Sequence, residues 1–299
     1  MNRAAVTDAD WYRQAVIHRL DPCTLAEGHA GGTVDPAGIA SRVDHLVALG
    51  MDAVWLSPLH LEAPTPGEDL DRLVDTLHTN GIRVVVDVEA PEAEARQARF
   101  REALAPGRGS FGPPVEQTFN GDLVEAPFEA DVWRRMISDT LDQAGQSGSS
   151  AAWALSSHGP ERPGTRPSPD DDPARDLLRA RAKTALLLAL PGSAHVYQGE
   201  ELGLGEADDP APGSCSALAF HVEAVNLRHE LQGNEELVFK ESAPGVIHVA
   251  RPGGWECLTN VSEPAVELPE AQVVLASGPL DGNRLPPETT VWLRVAPKF

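Results

Sequence analysis

With 299 residues, 41% of them hydrophobic and 23% charged, the chain is long enough for a barrel-sized domain with a small appendage. Its longest apolar runs, such as residues 185–189, are too short to span a bilayer. Forty-five acidic against 24 basic residues give a net charge of −21, a field that repels phosphate, so neither nucleic acid nor a membrane surface is an expected partner while a neutral ligand remains compatible.

Three widely spaced cysteines, Cys23, Cys215 and Cys257, suggest no disulfide framework. Residues 1–10 lack the apolar centre of a secretory signal, and they are read as a flexible N-terminus. A reduced, cytoplasmic chain is the expectation.

Residues 15–20 read as a strand, followed by a loop through Gly28, Gly31 and Gly32. From Pro36, Ile39, Val43, Leu46 and Val47 fall on one helical face, and Gly50 stands where a left-handed cap is wanted. The continuous apolar run Ala53-Val54-Trp55-Leu56 has the pattern of a parallel strand covered on both faces. The unit then recurs: a helical stripe through Leu70, Leu73, Val74 and Leu77 closes at Gly81, and Ile82-Arg83-Val84-Val85-Val86-Asp87 is a second buried strand. Such succession predicts parallel α/β architecture with functional groups at the carboxyl ends of the strands.

The middle of the chain is less regular. Residues 92–104 read as a charged helix, and residues 105–114 as a Gly/Pro-rich loop. Periodic structure resumes over 115–123, a helix starts at Asp131, and Ala151-Ala152-Trp153-Ala154-Leu155 is another buried strand. Asp170-Asp171-Asp172, in an acidic loop, reads as a solvated charge run rather than a metal site. A helix over 177–190, a strand over 193–198 and a helix over about 217–231 follow. From Gly233 the texture changes to short β-type runs separated by Gly, Pro and Asn turns. The expected division is thus a barrel domain over 11–232 and an all-β domain over 233–299.

Several segments, in order, carry a family resemblance. Trp11-Tyr12-Arg13-Gln14-Ala15-Val16-Ile17-His18, Gly38-Ile39-Ala40-Ser41-Arg42-Val43-Asp44-His45-Leu46, Asp52-Ala53-Val54-Trp55-Leu56-Ser57-Pro58 and Tyr197-Gln198-Gly199-Glu200-Glu201-Leu202-Gly203 resemble glycoside hydrolase family 13, the α-amylase family, nearest its α-glucosidase and oligo-1,6-glucosidase branch. The resemblance implies an eight-stranded (β/α) TIM-type barrel followed by a β-domain. Six family strands are recognisable, near Val16, Val54, Val85, Gln117, Ala154 and Val196. The fold expected is therefore a truncated or modified barrel.

Retaining glycoside hydrolysis uses two carboxyl groups roughly 5–5.5 Å apart, and the family carries them at the ends of its fourth and fifth strands. Here only 27 residues separate Val88 from Glu116, with neither strand recognisable. Glu89, Glu92, Glu94 and Glu102 in that interval sit in a charged helical context and are not expected to be catalytic. The family's Asp-x-x-x-Asn-His becomes Asp87-Val88-Glu89-Ala90-Pro91-Glu92, and its Asn-His-Asp becomes Ser157-His158-Gly159, so the third carboxylate is a glycine. No catalytic residue can be assigned.

Asp87, His158 and Arg162 remain as candidate saccharide contacts. Each also has a structural reading: a backbone-bonding aspartate, a strand cap and a solvated ion-pair partner. Glu200 and Glu201 resemble loop-holding residues of the last strand's turn, and Trp55 and Trp153 read as core. His195, His221 and His229 lack ligand spacing, so no metal and no cofactor is expected.

Losing two neighbouring strands leaves the barrel open or re-closed at a smaller size. The strand at 83–88 or the one at 116–123 is expected to be exposed at the break unless a partner chain, the 92–114 segment or the β-domain packs there. A homodimer covering the gap is one such solution. The leading reading is a catalytically degenerate family member, a pseudo-glycosidase with a binding, regulatory or scaffold role. Its rivals are a divergent enzyme built on Asp87 and His158, and a remnant or engineered minimal barrel without selected activity.

Overall fold

The computed structural model describes residues 10–20, 36–56, 67–87, 97–102, 115–119, 123, 126–154, 172–202, 214–231 and 236–295. The first half runs β1 (Val16–Leu20), α1 (Pro36–Ala40), α2 (Val43–Leu49), β2 (Ala53–Leu56), α3 (Gly67–Thr79), β3 (Arg83–Asp87), β4 (Gln97–Glu102) and β5 (Val115–Phe119). Then come α4 (Ala130–Ser147), β6 (Ser150–Ala154), α5 (Pro173–Ala189), β7 (Ser193–Tyr197) and α6 (Ser214–Leu231). Gly50 ends α2 at φ 76°, the left-handed conformation that its sequence position requires. All six expected strands are present. β1, β2 and β3 pair in parallel, as do β5, β6 and β7, and β7 pairs with β1 to close a barrel.

The closing strand corrects the sequence reading. Part of the segment read as a charged helix over 92–104 is β4, antiparallel to β3 on one side and to β5 on the other. Two physical facts favour the strand. The run Gln97-Ala98-Arg99-Phe100-Arg101 alternates with period two, and the facing edges of β3 and β5 carry backbone groups that need partners. The edges at the break are therefore paired by part of the 92–114 segment, one of the covers the sequence offered, in a closed barrel of seven strands. No second copy is needed to pair them.

The chain continues with β8 (Val238–Phe239), β9 (Val246–Arg251), β10 (Trp255–Asn260), β11 (Val266–Glu267), β12 (Gln272–Ala276), β13 (Arg284–Leu285) and β14 (Thr289–Arg294). Five of these form an antiparallel sheet in the order β12-β14-β10-β9-β8, and β11 pairs with β13. Helix α5 joins this sheet to the barrel. Ala182, Ala185 and Ala189 are fully buried and small enough for β14 to approach the helix backbone: Thr290 Oγ1 donates to the Ala182 carbonyl at 2.9 Å and Trp292 Nε1 to the Ala185 carbonyl at 3.0 Å. At its start Asp172 caps the helix by accepting from Ala174 N at 3.0 Å, which gives one member of the acidic run a structural duty. Asp170 and Asp171 lie outside the described residues.

At the far end of α5, Gly192 adopts φ 106° and a Cβ there would stand 2.4 Å from the Ala151 carbonyl oxygen, so only glycine lets the chain turn into β7. One hydrophobic cluster runs from Val16 and Val54 through Leu186 to Trp255 and Trp292. No helix among the described residues is long and apolar enough to cross a membrane.

Candidate functional site

Alternation along the barrel strands sends one set of side chains to the helices and the other inward. Ile17, Ala53, Trp55 and Val85 form an interior cluster with Ala15, against which Trp11 and Tyr12 pack. The Arg83 guanidinium lies over the Trp11 ring, 5.0 Å from its centroid. Beside this cluster, at the depth where His195 stands opposite Ile17, the interior turns polar. Gln117 Nε2 donates to Ser193 Oγ at 2.7 Å, and His195 Nε2 lies 3.2 Å from Ser193 Oγ and 3.3 Å from Gln117 Oε1.

Nearer the carboxyl ends of the strands, Arg19 is held between two aromatic faces, 4.2 Å from the Trp55 centroid and 4.7 Å from that of Tyr197. The Trp55 ring meets His195 edge-on with centroids 5.3 Å apart. Strand register explains the grouping, because Arg19 stands opposite both Trp55 and Tyr197 in its two neighbours.

Burial, with the positive charge of Arg19 added to it, pushes His195 well below the ordinary imidazole range, so the ring is neutral at pH 7. Ser193 and His195 have the residue types of a nucleophile and base, but the third group is an amide, Gln117, instead of a carboxylate. All three side chains are sealed from solvent. This trio organises the barrel interior and offers no accessible nucleophile.

A second polar cluster lies on the outer side of β1. His18 Nε2 is 3.5 Å from Glu201 Oε2, and His45 of α2 places its Nε2 3.2 Å from Glu201 Oε1. Glu201 Oε2 also accepts from Gly199 N at 2.8 Å, and Glu200 Oε2 accepts from Tyr197 N at 2.9 Å. Burial alone would raise the Glu201 carboxyl, but hydrogen bonds with His18 and His45 outweigh it and hold the group well below the usual carboxylate range. Glu200 and Glu201 thus hold the turn after β7, the loop-holding role that the sequence suggested.

Of the predicted ligand contacts, Asp87 is the last residue of β3, where its backbone is opposite Phe100 of β4. That puts it at a carboxyl-terminal strand end. His158 and Arg162 lie outside the described residues, as do Glu89, Glu92 and Glu94. Glu102 is the last residue of β4 but stands opposite Val85, because β4 runs backwards. Trp55 and Trp153 are buried; Trp153 Nε1 donates to the Pro191 carbonyl at 2.6 Å. Among the described residues no three His, Cys, Asp or Glu side chains are placed to hold a metal ion. Arg19, Tyr197, Gln117 and His195 did not stand out in the sequence as one group; only the inward parity of three different strands relates them.

This is a (β/α) barrel with an appended antiparallel sheet, and solved structures share that architecture. An isomaltulose synthase of Erwinia rhapontici NX5 superposes with a TM-score of 0.71 at 12% identity, covering 99% of this chain and 100% of that one. The trehalose-6-phosphate hydrolase of Bacillus licheniformis does so with a TM-score of 0.65 at 12% identity, covering 95% and 99%.

In sequence, the chain is 31% identical over 111 residues to the trehalose-6-phosphate hydrolase of Escherichia coli K12, which is 31% of this chain and 20% of that protein. It is 28% identical over 112 residues to the oligo-1,6-glucosidase of Heyndrickxia coagulans, again 31% of this chain and 20% of the relative. The matched part thus spans about a fifth of the length of these curated relatives. No family model matches the chain. The chain is thus similar, over about a third of its length, to glycoside hydrolase family 13 enzymes, and it shares their barrel fold.

Proposed function

We propose that this chain is a pseudo-glycosidase: it recognises a neutral saccharide at the carboxyl-terminal mouth of its barrel and does not hydrolyse it. The observation that carries this reading is β4. In the family the nucleophile and the acid/base stand at the ends of two parallel strands that follow the third. Here a single reversed strand fills the space between β3 and β5. A reversed strand presents its amino-terminal end at the mouth, and its terminal carboxylate, Glu102, begins from the depth of Val85. Two carboxyl groups roughly 5 Å apart across a bound sugar need two strand ends there. The position of Asp87 at a carboxyl-terminal strand end supports it as the contact to a sugar hydroxyl, and His158 and Arg162 are its proposed companions on the sequence resemblance alone.

The test is release of chromophore from an aryl α-glucoside at high protein concentration, beside an Asp87→Asn, His158→Ala double variant, with thermal melts in gluco-oligosaccharides. The proposal expects no turnover above the variant and a saturable rise in Tm that the variant loses. Turnover abolished by the two substitutions would instead establish a divergent enzyme with a new acid–base pair. Absence of both turnover and stabilisation would favour a barrel without selected activity.

A further inference from the structure

At the amino-terminal end of the barrel, where α5 gives way to β7 and the β-sheet abuts, lies a small cavity walled by Gln14, Pro191, Gly192, Arg228, Arg251 and Trp255. About 10 Å3 is open to the centre of a guest, room for a single water-sized occupant. Two of its six wall residues are arginines. Arg228 is 3% exposed and spends its two Nη groups on carbonyls: Nη1 donates to Leu188 at 2.5 Å and Leu190 at 2.9 Å, Nη2 to Gly192 and to Gln14 at 3.4 Å. Its third donor, Nε, is buried and meets no acceptor. The indole Nε1 of Trp255, also 3% exposed, is likewise a buried N–H without an acceptor. Arg251 lies over the Trp255 ring at 5.4 Å and donates from Nη1 to the Ala189 carbonyl at 2.8 Å.

Two arginines, and two residues that each carry a buried N–H without an acceptor, thus border one cavity, and none of its six wall residues is acidic. The carboxylate felt by Arg228 is that of Asp52, which already accepts from Val16 N at 2.8 Å and faces His229 Nε2 at 3.0 Å. A water molecule would answer the donors but would leave two guanidinium charges without a counter-charge in the wall. The wall carbonyls of Pro191, Gly192 and Gln14 each accept a hydrogen bond from Trp153 or Arg228, and an uncharged guest adds nothing to offset the cations. An anion brings only acceptor capacity and negative charge. Buried donors left without partners are costly, so such a guest also returns the desolvation cost of the donors. We propose that this cavity binds a monatomic anion, chloride under cellular conditions, held by Arg228 Nε and Trp255 Nε1 and by the charge of Arg251. Burial and the neighbouring Arg251 push Arg228 down to about 9, a destabilisation of its charge that a bound anion relieves.

The site lies at the end of the barrel opposite the saccharide reading, so the two stand or fall separately. Thermal melts of the whole chain in sodium chloride and in sodium gluconate, at one pH and one ionic strength, read it directly. Chloride should raise Tm by at least about 2 °C over gluconate with a saturating concentration dependence. Trp255→Phe, which removes one donor and keeps an aromatic side chain, should raise the half-saturating chloride concentration fivefold or more relative to its own gluconate baseline. Crystals grown in bromide should show an anomalous peak between Arg228 and Trp255. Equal melts in the two salts, a chloride effect that Trp255→Phe leaves unchanged, or a cavity without anomalous signal would each overturn the proposal.

Discussion

The two ends of the barrel solve opposite problems with the same residue type. At the amino-terminal end Arg228 is a fastener: buried, it ties the last turn of α5 to Gly192 and Gln14 through carbonyl groups that no helix bond satisfies. At the mouth Arg19 meets aromatic faces, Trp55 on one side and Tyr197 on the other. One guanidinium therefore replaces backbone hydrogen bonds and the other fills the space between rings. The first kind of contact is expensive to remove and the second is modest, so stability should concentrate at the closed end and leave the mouth tolerant of change. That separation is what a binding site needs from its scaffold.

The sharpest way to break this comparison is Arg228→Met. It leaves the α5 carbonyls and Gly192 without donors, and a loss of about 3 kcal/mol or more is expected in urea unfolding. A loss under about 1 kcal/mol would mean that water replaces the guanidinium, and the end would not be a fastener at all.

Glu201→Gln should come next. The carboxylate stands against both His18 and His45 and accepts from Gly199 N, so the neutral amide removes the charge from both imidazole contacts while keeping one acceptor. Roughly 2 kcal/mol is expected by thermal or chemical melt, with the turn after β7 the first to gain hydrogen exchange. Wild-type protection at Gly199 in the variant would show that the cluster does not hold the turn.

How much of this was legible beforehand differs from strand to strand. β2 and β3 announced themselves because continuous runs such as Ala53-Val54-Trp55-Leu56 have one explanation, burial on both faces, and Gly50 and Gly81 punctuate the helices before them. β4 reads as a helix in the sequence because its charges suit an exposed helix, and what decides its form is the unpaired edge of two strands elsewhere in the chain. Local sequence carries no record of that edge. At the mouth, Asp87 was placed by its position at the end of an apolar run. Arg19 and Tyr197 were not, since nothing in either segment indicates that β1 and β7 are neighbours until the barrel closes. Glu200 and Glu201 were legible through the family resemblance, and their hydrogen bonds supply the physical reason.

Acid should expose a smaller difference within the interior. His195, His221 and His248 are all held below the ordinary imidazole value of 6.5, in each case chiefly by burial. Below pH 6.5 the unfolded chain takes up protons that the folded one refuses, so stability falls as pH drops through that range. Glu201 acts in the same direction but lower: its depressed carboxyl contributes stability above the usual carboxylate range, lost only as pH falls below it. Tm should therefore begin to decline near pH 6 from the imidazoles, and His195→Asn should flatten that part of the profile. An unchanged slope in the variant would remove His195 from the account.

The smallest effect completes the comparison. Arg19→Met exchanges a cation between two rings for an apolar side chain of similar length, and it should cost only about 1 kcal/mol by urea unfolding. Paired with Arg228→Met, it is the same chemical change made at both ends of one barrel. A ratio of three or more between the two costs is the expected outcome. If Arg19→Met proves as damaging as its counterpart, the mouth is as rigidly built as the closed end, and a saccharide would have to bind to a preformed surface above it rather than share in its packing.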